Sequence, residues 1–157
     1  MTHHRFGLWN KEQVIIILAL VLTLIATGCN RVNENAVLVT RVIDGDTIEI
    51  EGGHRVRYIG INTPERGKPY YGEALNANRN LVEGKKVRLE KDVEDKDKYG
   101  RLLRYVWVDN TMVNAELIRL GYAYSYSYPP NVKHQMHLLQ LEKEAREHKQ
   151  GLWSVRN

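Results

Sequence analysis

Asp44, Asp46, Arg57, Asn62, Thr63 and Glu65 fall within one short segment, RVIDGDTIEIEGGHRVRYIGINTPER, at residues 41–66. Carboxylates beside a guanidinium suit chemistry on a phosphate. A phosphodiester is an anion, so an attacking hydroxide is repelled and more negative charge gathers on the phosphate oxygens in the transition state; the site must supply cations. Carboxylates can recruit a hard divalent metal through oxygen ligands, and calcium suits a flexible set of carboxylates, carbonyls and waters. Arginine offers a rigid fork of donors that matches two phosphate oxygens and stays charged, which lysine matches less well.

These residues need strands to hold them. Runs with strand-like alternation at 37–43 and 47–51 are joined by Asp44-Gly45-Asp46, and a third at 56–61 follows the Gly52-Gly53 turn, which predicts a three-stranded meander. The turn would keep Asp44 and Asp46 together, and the third strand would return Arg57 and the Asn62-Thr63-Pro64-Glu65 segment to the same mouth. Either motif alone is commonplace, since Asp-Gly is an ordinary hairpin turn and Asn-Thr-Pro-Glu an ordinary exit from a strand. A basic segment further on, Asp97-Lys98-Tyr99-Gly100-Arg101, makes the combination specific.

With IDGDT at 43–47, Arg57 opening a strand that ends in NTPE at 62–65, and DKYGR at 97–101, the chain resembles the staphylococcal nuclease (thermonuclease) family from about residue 37 to 153. The resemblance implies a calcium-dependent endonuclease that hydrolyses DNA and RNA, leaves 3′-phosphate ends and prefers single-stranded or frayed substrate. It also implies a ligand set: Asp46 directly, the Thr63 carbonyl second and Asn62 third, with Asp44 and Glu65 acting near the metal through water. The family's best-known pattern carries aspartate where this chain has Asn62. An amide oxygen can coordinate but adds no charge, so calcium binding is expected to be weaker. Arg57 and Arg101 are the expected phosphate clamp, and Glu65 is the general base or the group that positions the attacking water.

Tyr122, Tyr124, Tyr126 and Tyr128 alternate ahead of Pro129-Pro130. Aromatic faces can carry bases in a sequence-tolerant way while Lys98 and Tyr99 meet the phosphate side. The resemblance picks out Tyr126 and Tyr128; a one-residue shift of alignment would give Tyr124 and Tyr126 instead.

Outside these motifs, helical spacing is predicted at 71–83, 112–120 and 133–150, each stopped by a glycine, and further strands at 87–90 and 102–108. Periodicity alone gives an α+β protein, and the resemblance implies a five-stranded OB-fold barrel with three α-helices. The acids of the loop at 91–100 lack the spacing of a calcium-binding helix-loop-helix and read as solvated, as do His134 and His137 on the third helix.

The chain's 157 residues, 43% hydrophobic and 27% charged, suit one globular domain. Its start is different. Arg5 and Lys11 precede an apolar run at 14–26 that ends in Ala26-Thr27-Gly28-Cys29, short for a transmembrane helix and typical of a signal-peptide apolar region. Cys29 is the single cysteine, and small residues before it resemble a bacterial lipoprotein signal, although Ala26 stands where leucine is usual. The expected organisation is a leader at 1–29, a polar linker at 30–36 and a nuclease-like domain at 37–157. Export with a lipidated Cys29 in the membrane is expected, secretion after simple cleavage or an uncleaved anchor being the alternatives, and a monomer is expected.

Arg5, Lys11 and Glu12 fall in the leader, leaving 21 basic and 18 acidic residues, a net charge of +3. So mild a balance is compatible with a polyanionic partner without requiring one. The competing reading is a tethered, non-catalytic OB-fold module that binds nucleic acid or protein. Such a module has no need for Asp46, Arg57, Glu65 and Arg101 together.

Overall fold

The computed structural model describes Asn10 and residues 36–154, so the expected leader apart from Asn10, including Cys29, and nearly all of the linker lie outside the described residues. The meander forms. Strands β1 (Ala36–Val42), β2 (Thr47–Ile50) and β3 (His54–Tyr58) run antiparallel, with Thr47 opposite Arg57. Alternation buries Ile48 and Ile50 on β2 and Val56 and Tyr58 on β3. In β1 the buried residues are Val39 and Val42, three apart; the register shifts between Val39 and Arg41, and this irregularity returns Val42 to the inner face.

Beyond β3 come β4 (Ile61–Asn62), α1 (Tyr71–Val82), β5 (Lys86–Glu90), β6 (Leu102–Val108), β7 (Thr111–Met112), α2 (Val113–Arg119), β8 (Tyr124–Ser125) and α3 (Gln135–Glu147). β5 lies antiparallel between β1 and β6, and β6 pairs in parallel with β3. That pairing closes β3-β2-β1-β5-β6 into a five-stranded barrel. The protein is therefore α+β, an OB-type barrel with three helices. β7 adds a short flap to β6, and β4 pairs with β8 in a separate ribbon. At two residues each, β4, β7 and β8 are too short to leave a periodic signal, and the sequence reading misses them.

The helices cover the barrel as expected. On α1, Ala74 and Val82 are buried with Asn78 between them; on α2, Val113, Asn114, Leu117 and Ile118 are buried while Leu120 is only partly so. On α3, Leu138 and Ala145 point inward, and Glu142 rather than Leu141 is the more deeply buried, its carboxylate paired with Arg146 at 2.8 Å. Both buried asparagines of the helices, Asn78 and Asn114, are hydrogen-bonded. Asn114 accepts from Val106 N–H and donates to the Ile59 carbonyl, which ties α2 to the barrel wall. Gly60 lies where β3 turns toward β4, at φ 79°; a Cβ there would sit 2.5 Å from Leu138 Cδ1, so α3 packs onto bare backbone.

Candidate active site

The turn between β1 and β2 is shaped by its own residues. The Asp44 side chain accepts the Asp46 N–H at 3.0 Å, fixing the turn, and Asn78 of α1 donates to the Asp44 carbonyl at 2.9 Å while accepting from the buried Tyr58 hydroxyl. The turn then closes against Thr63. A Cβ on Gly45 would lie 2.6 Å from Thr63 Oγ1, so only glycine allows the IDGDT turn to reach the NTPE segment.

Asp46 is at the centre of that closure. Its Oδ2 accepts from Thr63 N–H at 2.9 Å and from Thr63 Oγ1 at 3.0 Å, and lies 3.2 Å from Arg57 Nη2; its Oδ1 accepts from Thr47 Oγ1 at 3.3 Å. Burial pushes its pKa up to about 6, against the pull of Arg57 and the Thr63 hydrogen bonds, and nearby Asp44 pushes the same way.

Arg57 is held from several sides. Nη1 donates to the Tyr58 carbonyl at 2.6 Å and the Ile61 carbonyl at 3.0 Å, and Nη2 to the Asn62 amide oxygen at 2.9 Å. Its guanidinium is fixed before any substrate arrives. The β3–β4 corner supplies those carbonyls, and the β4–β8 pairing of Asn62 with Tyr124 holds the corner.

Two hollows meet at the Asp46–Arg57 pair. One, about 440 Å³, is lined by Arg57, Asn62, Asp97, Lys98, Tyr99, Arg101, Tyr126 and Tyr128, among others. The other, about 190 Å³, is lined by Asp44, Asp46, Thr63, Pro64, Glu65, Arg66 and Tyr71 with Ile43. The expected single mouth is thus a pair of adjoining pockets. Both arginines line the larger with Tyr99, Tyr126 and Tyr128, and the carboxylates of Asp44, Asp46 and exposed Glu65 line the smaller.

Arg101 reaches the larger cleft because Asp97 holds it. Asp97 Oδ2 accepts from Arg101 Nε at 2.7 Å, and Oδ1 accepts the N–H groups of Tyr99 and Arg101. Burial works against the charge on Asp97, but these hydrogen bonds outweigh it and hold its pKa below the ordinary value. Tyr99 is exposed between two cations, with Lys98 Nζ 5.0 Å and Arg101 Cζ 5.5 Å from its ring centroid. Tyr124, by contrast, packs edge-on against Trp153 at 5.3 Å, and Arg146 covers the Trp153 ring at 3.7 Å.

The acids of the loop at 91–100 are less solvated than their sequence suggests. Asp97 fixes Arg101, Asp95 pairs with Arg104 at 2.8 Å, and Asp92 accepts from Tyr105 Oη and Lys133 N–H. His134 likewise is no free surface residue: its Nε2 lies 2.9 Å from Glu90 Oε1. Asn131, fully buried, accepts the Glu94 N–H with its side chain while its own N–H donates to the Tyr128 carbonyl, which joins the two walls of the larger cleft. Sequence reasoning passed over Asn78 and Asn131 and took Asp97, within the DKYGR segment, as solvated. The one available signal was a polar residue set among inward-facing positions, as Asn78 is between Ala74 and Val82.

Among the described residues, no three of His, Cys, Asp and Glu converge closely enough to hold a metal unaided. Asp44, Asp46 and Glu65 do share their pocket with Thr63, an all-oxygen donor set of the kind a hard cation prefers. Asn62 lies on the cleft side, its oxygen turned to Arg57. Chemically, the arrangement can hold an anion against two fixed guanidiniums with a cation-ready pocket alongside.

Residues 55–155 match the family model described as staphylococcal nuclease homologue. The chain is 39% identical over 138 residues to the thermonuclease of Staphylococcus hyicus, covering 82% of each protein. To the thermonuclease of Staphylococcus intermedius it is 45% identical over 125 residues, covering 74% of each. To endonuclease YncB of Bacillus subtilis (strain 168) it is 43% identical over 129 residues, covering 75% of this chain and 61% of that protein.

Proposed function

The chain belongs to the staphylococcal nuclease family, and from that premise we propose that it is an endonuclease hydrolysing phosphodiester bonds in DNA and RNA with calcium, leaving 3′-phosphate ends. The observation that carries this reading is that Arg57 and Arg101 line one cleft with Tyr126 and Tyr128, directly beside the carboxylate pocket. Substrate phosphate sits against the two guanidiniums. Because Arg57 is already fixed by two carbonyls, Asn62 and Asp46, little reorganisation is needed as charge develops. Tyr126 and Tyr128 stack bases, which requires those bases to be unpaired and so favours single-stranded or frayed substrate; Lys98 and Tyr99 meet the phosphate side.

Asp46, the Thr63 carbonyl and Asn62 would hold the calcium, with Asp44 and Glu65 acting on it through water. An amide oxygen has two lone pairs, so Asn62 can keep its bond to Arg57 and still coordinate. A bound ion would supply positive charge to offset the negative charge developing on the phosphate. Glu65, exposed at the lip of the pocket, accepts the water's proton or orients it.

Residues 30–157 should cleave single-stranded DNA in proportion to calcium titrated from chelated to millimolar levels, and an Arg57→Ala control should lose the activity. A folded sample that bound DNA without cutting it at any calcium level would establish the binding-module reading instead. We further propose that the protein acts as a monomer, exported and anchored through lipid on Cys29. Metabolic labelling with a fatty acid should mark the wild type and not Cys29→Ala; equal labelling of both would remove that anchor.

A further inference from the structure

The larger cleft accounts for only one direction of a polymer. A nucleic-acid chain whose phosphate lies at Arg57 and whose adjoining base stacks on Tyr126 or Tyr128 must continue, on the other side of that phosphate, past Asp46. What lies there is the smaller pocket, whose wall includes Arg66 and Tyr71 as well as the acids.

Local structure brings these two together. After Glu65 the chain makes two turns in succession, Lys68 N–H donating to the Glu65 carbonyl at 2.9 Å and Tyr71 N–H to the Lys68 carbonyl at 3.2 Å, with Gly67 at φ 83° inside the first. This folds Tyr71, the first residue of α1, back toward Arg66, whose Cζ lies 6.0 Å from the Tyr71 ring centroid. Arg66 and Lys68 are exposed, and Tyr71 is partly buried. A flat aromatic face and an exposed guanidinium form the same pairing that Tyr99 and Arg101 make on the cleft side.

Electrostatics give Arg66 a task. Asp44, Asp46 and Glu65 repel any further phosphate brought past them, and beyond the reach of a single bound cation that repulsion needs a local positive charge to offset it. Arg66 is the cation in that wall.

Resting on the nuclease reading above, we infer that Arg66 and Tyr71 form a second nucleotide subsite, on the far side of the scissile phosphate from Tyr126 and Tyr128, with Arg66 contacting a flanking phosphate and Tyr71 offering a face to its base or sugar. The subsite takes single-stranded nucleic acid of either sugar, since it offers charge and a ring face rather than a pattern of donors.

The test compares a single-stranded oligonucleotide with two small diesters, thymidine 3′-(p-nitrophenyl phosphate) and thymidine 5′-(p-nitrophenyl phosphate), each of which carries one nucleoside only. On the oligonucleotide, Arg66→Ala should raise KM on the order of fivefold with kcat little changed, and should lower the slope of log affinity against log salt by about one. On the diester whose nucleoside occupies the tyrosine cleft, the variant should match the wild type. Tyr71→Leu should behave alike, and the melting temperature of Arg66→Ala should stay at the wild-type value because the side chain is exposed. An unchanged oligonucleotide KM, or an equal loss on the oligonucleotide and both diesters, would overturn the inference. A wild type inactive on every substrate would instead overturn the nuclease reading on which it rests.

Discussion

Asp46 and Glu90 are two carboxylates with little exposure, 8% and 15% of their side chains, and the protein treats them in opposite ways. Burial raises both. For Asp46 burial wins, and the pKa reaches about 6 despite Arg57, because Asp44 adds charge of the same sign. For Glu90 burial is outweighed by hydrogen bonds from Lys133 at 2.6 Å and His134 at 2.9 Å, and the pKa falls to about 2. Trp107 Nε1 donates to the same carboxylate at 2.8 Å, and the His134 ring meets Tyr105 edge-on at 4.5 Å. Glu90 is a finished knot that fastens the start of α3 to β5 and β6. Asp46 is under-compensated; perturbation of that kind marks functional sites more often than structural ones.

The comparison can be broken from the functional side first. Arg101→Ala should lower turnover on the order of a hundred- to thousand-fold while circular dichroism and melting stay near wild type, since Arg101 is held at the cleft rather than in the core. Near-normal turnover would remove it from the clamp and leave the Asp46 region without the feature that sets it apart.

The structural side comes next. Glu90→Gln should lower stability by about 2 kcal/mol, the range of hydrogen bonds to charged groups, with turnover at 25 °C unchanged where the protein is folded. Because the folded pKa of Glu90 lies below its ordinary 4.5, its contribution is present above pH 4.5 and is lost as pH falls toward 2. The acid limb of a melting-temperature profile should therefore be shallower in Glu90→Gln between those values. A fall in turnover as deep as that of Arg101→Ala would mean that Glu90 is no mere fastening.

The smallest effects sharpen the contrast. Asp46 has a folded pKa above its ordinary 3.8, so in metal-free protein its protonated form favours the fold below pH 4, and that advantage is lost as pH rises through about 6. Carboxylate NMR should follow a midpoint near 6 that moves down when calcium is added; a midpoint indifferent to calcium would count against Asp46 as a ligand. Asn62→Asp should tighten calcium binding severalfold by adding charge and move the metal-free Asp46 midpoint. Unchanged or weaker affinity would take Asn62 out of the ligand set.

Much of the molecule was legible in its residues. The IDGDT turn, the strand from Arg57 to NTPE and the DKYGR segment were set by order and spacing, because turn chemistry and strand alternation are local and survive without tertiary context. The meander, the three helices and the five barrel strands follow from the same local signals. What only the tertiary structure decided is where local signals meet. The parallel β3–β6 pairing closes the barrel across more than forty residues of chain, and the β4–β8 ribbon is too short to announce itself. Burial and partnership belong to the fold alone: the sequence shows Asp46 and Glu90 as two acids among many. Only the packing of Thr63 and Asp44 around the first, and of Lys133, His134 and Trp107 around the second, separates a carboxylate that burial leaves under-compensated from one already satisfied.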